Sequence, residues 1–171
     1  METAELARRC KEVAYLKGDF VLRSGRRSTY YLDKYLFCAA PDILGELAAR
    51  FAAYAEDVDV IAGAELGAVA LAAATSLRCD KPFAIVRKTR KDYGTAKHIE
   101  GAPVANRRVL LVEDIGTTAG AVLQAAETLQ LAGANIVRIV FALDRMEGAK
   151  ENVEKAGFSY AALLTKNDLG I

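Results

Sequence analysis

The sequence predicts an α/β domain built on a five-stranded, mostly parallel sheet with helices on both faces. Three observations predict it. Short apolar runs alternate with helical segments of ten to fifteen residues, the rhythm of parallel crossovers. Those runs are continuous in Val, Ile, Leu and Ala, which means burial on both faces. The 171 residues are 53% apolar and 26% charged, with 13 Gly and 3 Pro, which excludes disordered, collagen-like and fibrous chains. A chain of this size buries about 70% of the surface exposed by its unfolded form, so it needs no disulfide or structural metal. Its 32 alanines point to closely packed helices.

The elements follow in order. The first twenty residues read as an amphipathic helix, with Leu6, Ala7, Cys10, Val13 and Ala14 at helical spacing and Gly18 where a C-terminal cap belongs. Phe20 to Ala40 is aromatic, basic and alternating, and reads as a short hairpin appended to the core. A helix begins near Pro41 and Asp42, with Ile43, Leu44, Leu47, Ala48, Phe51 and Ala55 on one face; Pro costs little in a first turn. Strands are expected over Val58 to Gly63, Pro82 to Lys88, Arg108 to Asp114, Asn135 to Asp144 and Phe158 to Thr165. Helical segments follow the first, third and fourth, the last of them polar and ending at Gly157. Thr89 to Ala105 is polar and Gly-punctuated, with no face to bury, so it should be a long mobile loop. Loops of that length in a compact domain are commonly functional. One domain over residues 1–171 accounts for the whole chain.

Charge and cysteines remove several function classes. With 23 basic against 22 acidic residues the net charge is +1, unlike a protein that lives by non-specific nucleic-acid or membrane contact. Cys10, Cys38 and Cys79 are odd in number and widely spaced, without a CxxC pair. They read as buried thiols in a reducing cytoplasm, not as a zinc site or a disulfide framework. His98 is the single histidine, which removes chemistry based on several His ligands. The N-terminus mixes charge with apolar residues too early for a signal peptide. The most apolar stretch, Leu66 to Leu77, is shorter than the ~20 residues that span a bilayer. The expectation is a soluble cytoplasmic protein.

The strongest chemical signal is VLLVEDIGTTAG. An apolar strand delivers Glu113 and Asp114 at its C-terminal end, and Gly116, Thr117, Thr118, Ala119 and Gly120 lead into a helix. Ligands of open parallel sheets bind beyond the carboxyl ends of the strands. Small turn residues let backbone N–H groups approach a dianion, and the helix N-terminus adds its positive end. The threonine hydroxyls can donate to the same oxygens. Such a cradle beside two acids suits a phosphorylated sugar, the acids accepting from vicinal hydroxyls. There is no Gly-Lys-Ser/Thr P-loop and no GxGxxG fingerprint. A second cluster lies between Arg87 and Lys97, where Arg87, Lys88, Arg90, Lys91 and Lys97 face one acid, Asp92. Cations on a closing lid would stabilise charge building on a phosphate leaving group. Arg145 ends an apolar strand in LDR, a place where a guanidinium fork suits a carboxylate or a plain ion pair with Asp144 or Glu147.

With these motifs the sequence resembles the type I phosphoribosyltransferases, and within them the orotate phosphoribosyltransferases, from about Asp19 to Thr165. VLLVEDIGTTAGA matches the family motif for 5-phosphoribosyl 1-diphosphate (PRPP). VRKTRKDYGTAKHIEG matches the mobile catalytic loop, DFVLRSGRRSTYYLDKYLF the N-terminal hood, and ALDRMEG the strand end that holds orotate. The resemblance implies the type I phosphoribosyltransferase fold, with a hood over about residues 19–40 plus 158–171 and a mobile loop over 89–105. It implies orotidine 5′-phosphate and diphosphate formed from orotate and PRPP in pyrimidine synthesis, with Mg²⁺ bound mainly through PRPP. A homodimer with shared active sites is implied as well, because the loop reaches the neighbouring subunit.

By the same resemblance Lys91, Glu113 and Asp114 are catalytic. PRPP is held by Arg23, Arg87, Lys88, Lys91, Tyr93, Glu113, Asp114, Ile115, Gly116, Thr117, Thr118, Ala119, Gly120 and Ala121. Orotate is held by Thr117, Arg145, Tyr30 and Tyr31. Tyr93 stands where many relatives have His. GAELGAVAL, in the diphosphate-loop position, lacks the Tyr-Lys pair of some relatives. Gly116 and Ala119 replace a bulky residue and a Gly, and Ala119 is costly if its backbone is left-handed. A phosphoribosyltransferase for another base and a non-catalytic PRPP-sensing regulator are the alternative readings.

Overall fold

The computed structural model of the chain describes residues 1–21, 25, 27–89 and 98–171. In chain order the elements are α1 (Thr3–Ala14), β1 (Tyr15–Val21), β2 (Arg27–Leu32), α2 (Lys34–Ala39), α3 (Pro41–Ala52), β3 (Val60–Ala64), α4 (Ala68–Cys79) and β4 (Phe83–Val86). There follow β5 (Ile99–Gly101), β6 (Arg108–Gly116), α5 (Gly120–Leu131), β7 (Asn135–Asp144), α6 (Ala149–Lys155) and β8 (Tyr160–Thr165). The main sheet runs β5-β4-β3-β6-β7-β8, and β1 pairs with β2 in a separate antiparallel hairpin. The five expected strands are parallel to their neighbours, and β5 joins β4 antiparallel as a sixth, edge strand.

Alternation along the strands divides the core into two layers. Leu110 and Val112 of β6 and Val140 and Ala142 of β7 face α1, α2, α3 and α4. Val109 and Leu111 with Ile139 and Phe141 face α5 and α6. The chain leaves β3 through α4 toward one edge and leaves β6 through α5 toward the other. The order therefore reverses between β3 and β6, the place where open α/β sheets leave a crevice for ligands. Gly63 lets α4 approach this point, since a Cβ there would sit 2.7 Å from the Ala68 carbonyl oxygen and 3.0 Å from Ala72 Cβ.

Three local expectations need correction. The first helix stops at Ala14, not near Gly18, because the apolar period breaks at Tyr15 and the Ala14 carbonyl accepts from Asp33 N at 2.9 Å. Tyr15 to Val21 then pairs with Arg27 to Leu32, so the hairpin begins earlier than Phe20, and Gly18 lies within a strand beneath the Phe20 ring. The hairpin is followed by a short helix, α2, before Pro41. The segment expected as loop over Thr89 to Ala105 contains β5, which is defined by backbone pairing of Val86 with Ile99, Ile85 with Glu100 and Ala84 with Gly101. Val104 beyond it is buried. A strand of three residues has too little side-chain period to be seen in a sequence. Residues 158–171 supply β8 to the main sheet, and their Leu169 packs in the same layer as Leu6, Leu32 and Phe37. No helix among the described residues is long and apolar enough to cross a membrane.

Gly63→Ala should cost about 1–3 kcal/mol of unfolding free energy, because the methyl group forces β3 and α4 apart. Urea denaturation measures this. An unchanged midpoint would show that α4 is free to shift.

Candidate active site

The crevice at the strand-order reversal is lined by the residues after β3 and those after β6. Near the end of β6, Glu113 belongs to the face turned toward α5, and Asp114 to the face turned toward the hairpin and α2. Both are buried, Asp114 at 1% exposure. The Asp114 carboxylate meets the Lys34 ammonium, Oδ2 to Nζ 2.9 Å. Gly67 closes the third side: a Cβ on it would collide with Asp114 Oδ2 and stand 3.2 Å from Lys34 Cε. Only a residue without a side chain allows the loop after β3 to lie this close to β6.

Burial pushes the Glu113 carboxyl well above its usual range, and the Asp114 charge beside it adds to the effect. One oxygen, Glu113 Oε2, is buried without a hydrogen-bond partner. Burial works against the Lys34 ammonium, but its hydrogen bond to Asp114 and the nearby negative charge prevail, and Lys34 titrates above its ordinary value. Burial also pushes the Cys10 and Cys38 thiols up to about 12, which makes them poor nucleophiles.

The turn from β6 into α5 has the form of an anion cradle. Ala119 lies in the left-handed region at φ +61°, so the costly case expected for this position holds. Its neighbour Thr118 accepts a hydrogen bond at its carbonyl from Asn152 Nδ2, 3.0 Å, which ties the turn to α6. Gly116 has no room for a side chain, since a Cβ would lie 3.0 Å from Phe141 Cδ1 and 3.1 Å from Ala149 Cβ. Ile115, Thr117, Gly120 and Ala121 complete the segment around the helix start.

At the end of the neighbouring strand β7, Arg145 donates its backbone N–H to the Gly116 carbonyl, 2.8 Å. Its guanidinium pairs with Glu147 at 3.0 Å, with the Cζ 5.9 Å from the Tyr30 ring centroid, so the hairpin reaches over this strand end. Asp144 is not its partner. That buried carboxylate accepts from the Tyr160 hydroxyl and, at 2.7 Å, from Met146 N, fixing the turn that carries Arg145. Tyr30 and Tyr31 are separated by strand alternation: Tyr30 stacks on Tyr15 beside Arg145, whereas Tyr31 packs against Phe20. On the far side, Glu65 accepts from Lys88 N at 2.6 Å and lies 4.0 Å from the Arg87 guanidinium. Arg87 and Lys88 thus flank the crevice next to the loop after β3. Arg23, Lys91 and Tyr93 lie outside the described residues. Sequence reasoning missed Lys34, Glu65, Gly67 and Tyr160. Lys34 stands in the hood segment and Glu65 and Gly67 in GAELGAVAL, but what each does depends on a partner far along the chain, Asp114 for Lys34; Tyr160 stands in no motif.

The fold and site define an α/β protein with a crevice at the strand-order reversal, bordered by a small-residue turn and two acids, with cations at the margin. A family model described as "Phosphoribosyl transferase domain" matches residues 39–161. The orotate phosphoribosyltransferase of Methanopyrus kandleri is 42% identical over 170 residues, covering 99% of this chain and 92% of that protein. Among solved structures, Mycobacterium tuberculosis orotate phosphoribosyltransferase in complex with Fe(III) dicitrate superposes with a TM-score of 0.86 at 32% identity, covering 99% of each chain. The same enzyme in complex with PRPP superposes at 0.83 and 31% identity, again over 99% of each chain. The chain belongs to the phosphoribosyltransferase family, in its orotate phosphoribosyltransferase branch.

Glu113 gives a pH signature. Its folded-state carboxyl binds a proton more tightly than the unfolded one, whose reference value is 4.5. The native state therefore holds more protons above that pH, and stability falls as pH rises from there toward the raised folded value. Glu113→Gln removes this slope, so the variant should gain on the parent progressively from about pH 4.5 upward. Urea unfolding at several pH values tests it; parallel curves for the two proteins would refute it.

Proposed function

We propose that the chain transfers the 5-phosphoribosyl group of PRPP to orotate, giving orotidine 5′-phosphate and diphosphate for pyrimidine nucleotide synthesis. The observation that carries this reading is the pairing, at one sheet edge, of the two acids and small-residue turn of β6 with Arg145 at the end of β7. These two strand ends are neighbours in the sheet, with Gly116 opposite Asp144, which suits a sugar phosphate beside a base that bears a carboxylate.

In the proposed mechanism the bond from C1 of the ribose to the diphosphate oxygen breaks, and the electron pair leaves with the diphosphate. N1 of orotate forms the new bond to C1, and its proton passes to the departing diphosphate or to water. Positive charge develops on the sugar ring, and Glu113 and Asp114 favour it while accepting from the ribose hydroxyls. Ile115 through Ala121 hold the 5′-phosphate with backbone N–H groups and the Thr117 and Thr118 hydroxyls. Arg87, Lys88 and Lys91, with Arg23 and Tyr93, neutralise the departing diphosphate. Arg145 takes the orotate carboxylate as a fork, in place of Glu147; Tyr30, Tyr31 and Thr117 border the base.

Magnesium suits this donor set as a passenger of PRPP. Asp114 is already engaged by the Lys34 ammonium and the Ile115 N–H, and the ion keeps water ligands readily. When bound it adds positive charge to the diphosphate. A homodimer that shares its active sites is part of the proposal, supported by the family's use of the loop over 89–105 across a subunit boundary. A cytoplasmic location is part of the proposal, supported by the free cysteines, and the balanced net charge supports a protein without a nucleic-acid or membrane partner.

Purified protein mixed with orotate, PRPP and Mg²⁺ should consume orotate, read as loss of its ultraviolet absorbance. Lys91→Ala should lower the rate about 10²–10³-fold, the usual cost of removing one donor to developing charge. Arg145→Ala should raise KM for orotate roughly 10–100-fold through loss of a charged hydrogen-bonding pair. Intact orotate in the presence of consumed adenine, guanine or uracil would assign the site to another base.

A further inference from the structure

Lys34 has no part in the function derived so far, yet among the described residues it makes the shortest ion pair of the crevice. Its ammonium is 2.9 Å from Asp114 Oδ2, and its stem runs beside Gly67 in the loop that follows β3. The carboxylate is 1% exposed and the lysine side chain 33%, so the pair sits at the mouth of the crevice with the ammonium on the solvent side. In the loop itself Glu65 and Leu66 supply no cation, and Leu66 is 67% exposed. Lys34 therefore brings from the hairpin side a positive charge that this loop lacks.

A ribose hydroxyl that donates to Asp114 must share or take the oxygen held by Lys34. The ammonium released in that exchange has a flexible four-carbon stem, and the nearest anion arriving with PRPP is the diphosphate, carried on the adjacent sugar carbon. We infer that Lys34 is the positioning residue of the PRPP site: in the free protein it holds Asp114 ready for the ribose hydroxyls, and with PRPP bound its ammonium turns to the diphosphate. This rests on the phosphoribosyl transfer proposed above. It accounts for a lysine at the start of α2, directly after the Asp33 cap, and for a glycine at position 67. A Cβ at 67 would close the space in which both partners of the exchange move.

The test is steady-state kinetics with each substrate varied in turn, on the wild type and on Lys34→Met, Lys34→Gln and Lys34→Arg. Wild-type turnover of orotate establishes the underlying reaction; its absence would sink that reading and leave Lys34 no role to assign. With turnover present, Lys34→Met should raise KM for PRPP by about tenfold or more, the cost of a lost charged hydrogen bond, and leave KM for orotate within twofold. Lys34→Arg, which keeps the charge, should recover most of the PRPP affinity. If Lys34→Met fails to fold, Lys34→Gln decides by the same measure, since its amide can donate to Asp114 but carries no charge. A KM for PRPP within twofold of wild type in the uncharged variants, or equal losses for both substrates, overturns the inference. A fall in kcat alone overturns it too.

Discussion

Two carboxyl groups buried next to each other at the end of one strand cannot both be charged without cost, and the crevice is organised around that constraint. Burial and the Asp114 charge disfavour the anionic form of Glu113, and the Lys34 ammonium settles on Asp114. The result is one ion pair beside one carboxyl whose anionic form is disfavoured, in place of two bare anions, as burial at the end of a central strand demands. Everything close by accommodates this pair. Gly67 has no side chain because Asp114 occupies the space, α2 begins at the lysine, and β3 carries Gly63 so that α4 and its preceding loop lie near enough to enclose the site.

The parallel sheet and the chemistry of VLLVEDIGTTAG were legible from sequence because each is a local pattern: unbroken apolar strands, two acids and a run of small residues. All five strands appear close to the expected places, and β7 has the expected ends. The α3 face was equally readable, with Ile43, Leu47, Ala48 and Phe51 buried at helical spacing. What escaped depends on pairing between distant segments. β5 exists because its backbone finds β4, and β1 displaces the end of the first helix because β2 is available to it. Neither leaves a side-chain period to read.

The site divides in the same way. Glu113, Asp114 and Arg145 announce themselves by standing at strand ends. Lys34 and Tyr160 do not, since each meets its carboxylate, Asp114 and Asp144 respectively, on another element. Tyr30 and Tyr31 show the converse: adjacent in sequence and alike in chemistry, they are sent to opposite sides by the pleat of the strand, and only Tyr30 lies beside Arg145.

The back of the turn between β6 and α5 is built from elsewhere. Phe141 of β7 and Ala149 of α6 fill the volume that a side chain at position 116 would take. Volume at these three places is shared: a larger residue at 116 requires Phe141 or Ala149 to yield space. A graft of the twelve-residue motif into another protein of this fold would therefore leave behind the part of its mould that β7 and α6 supply.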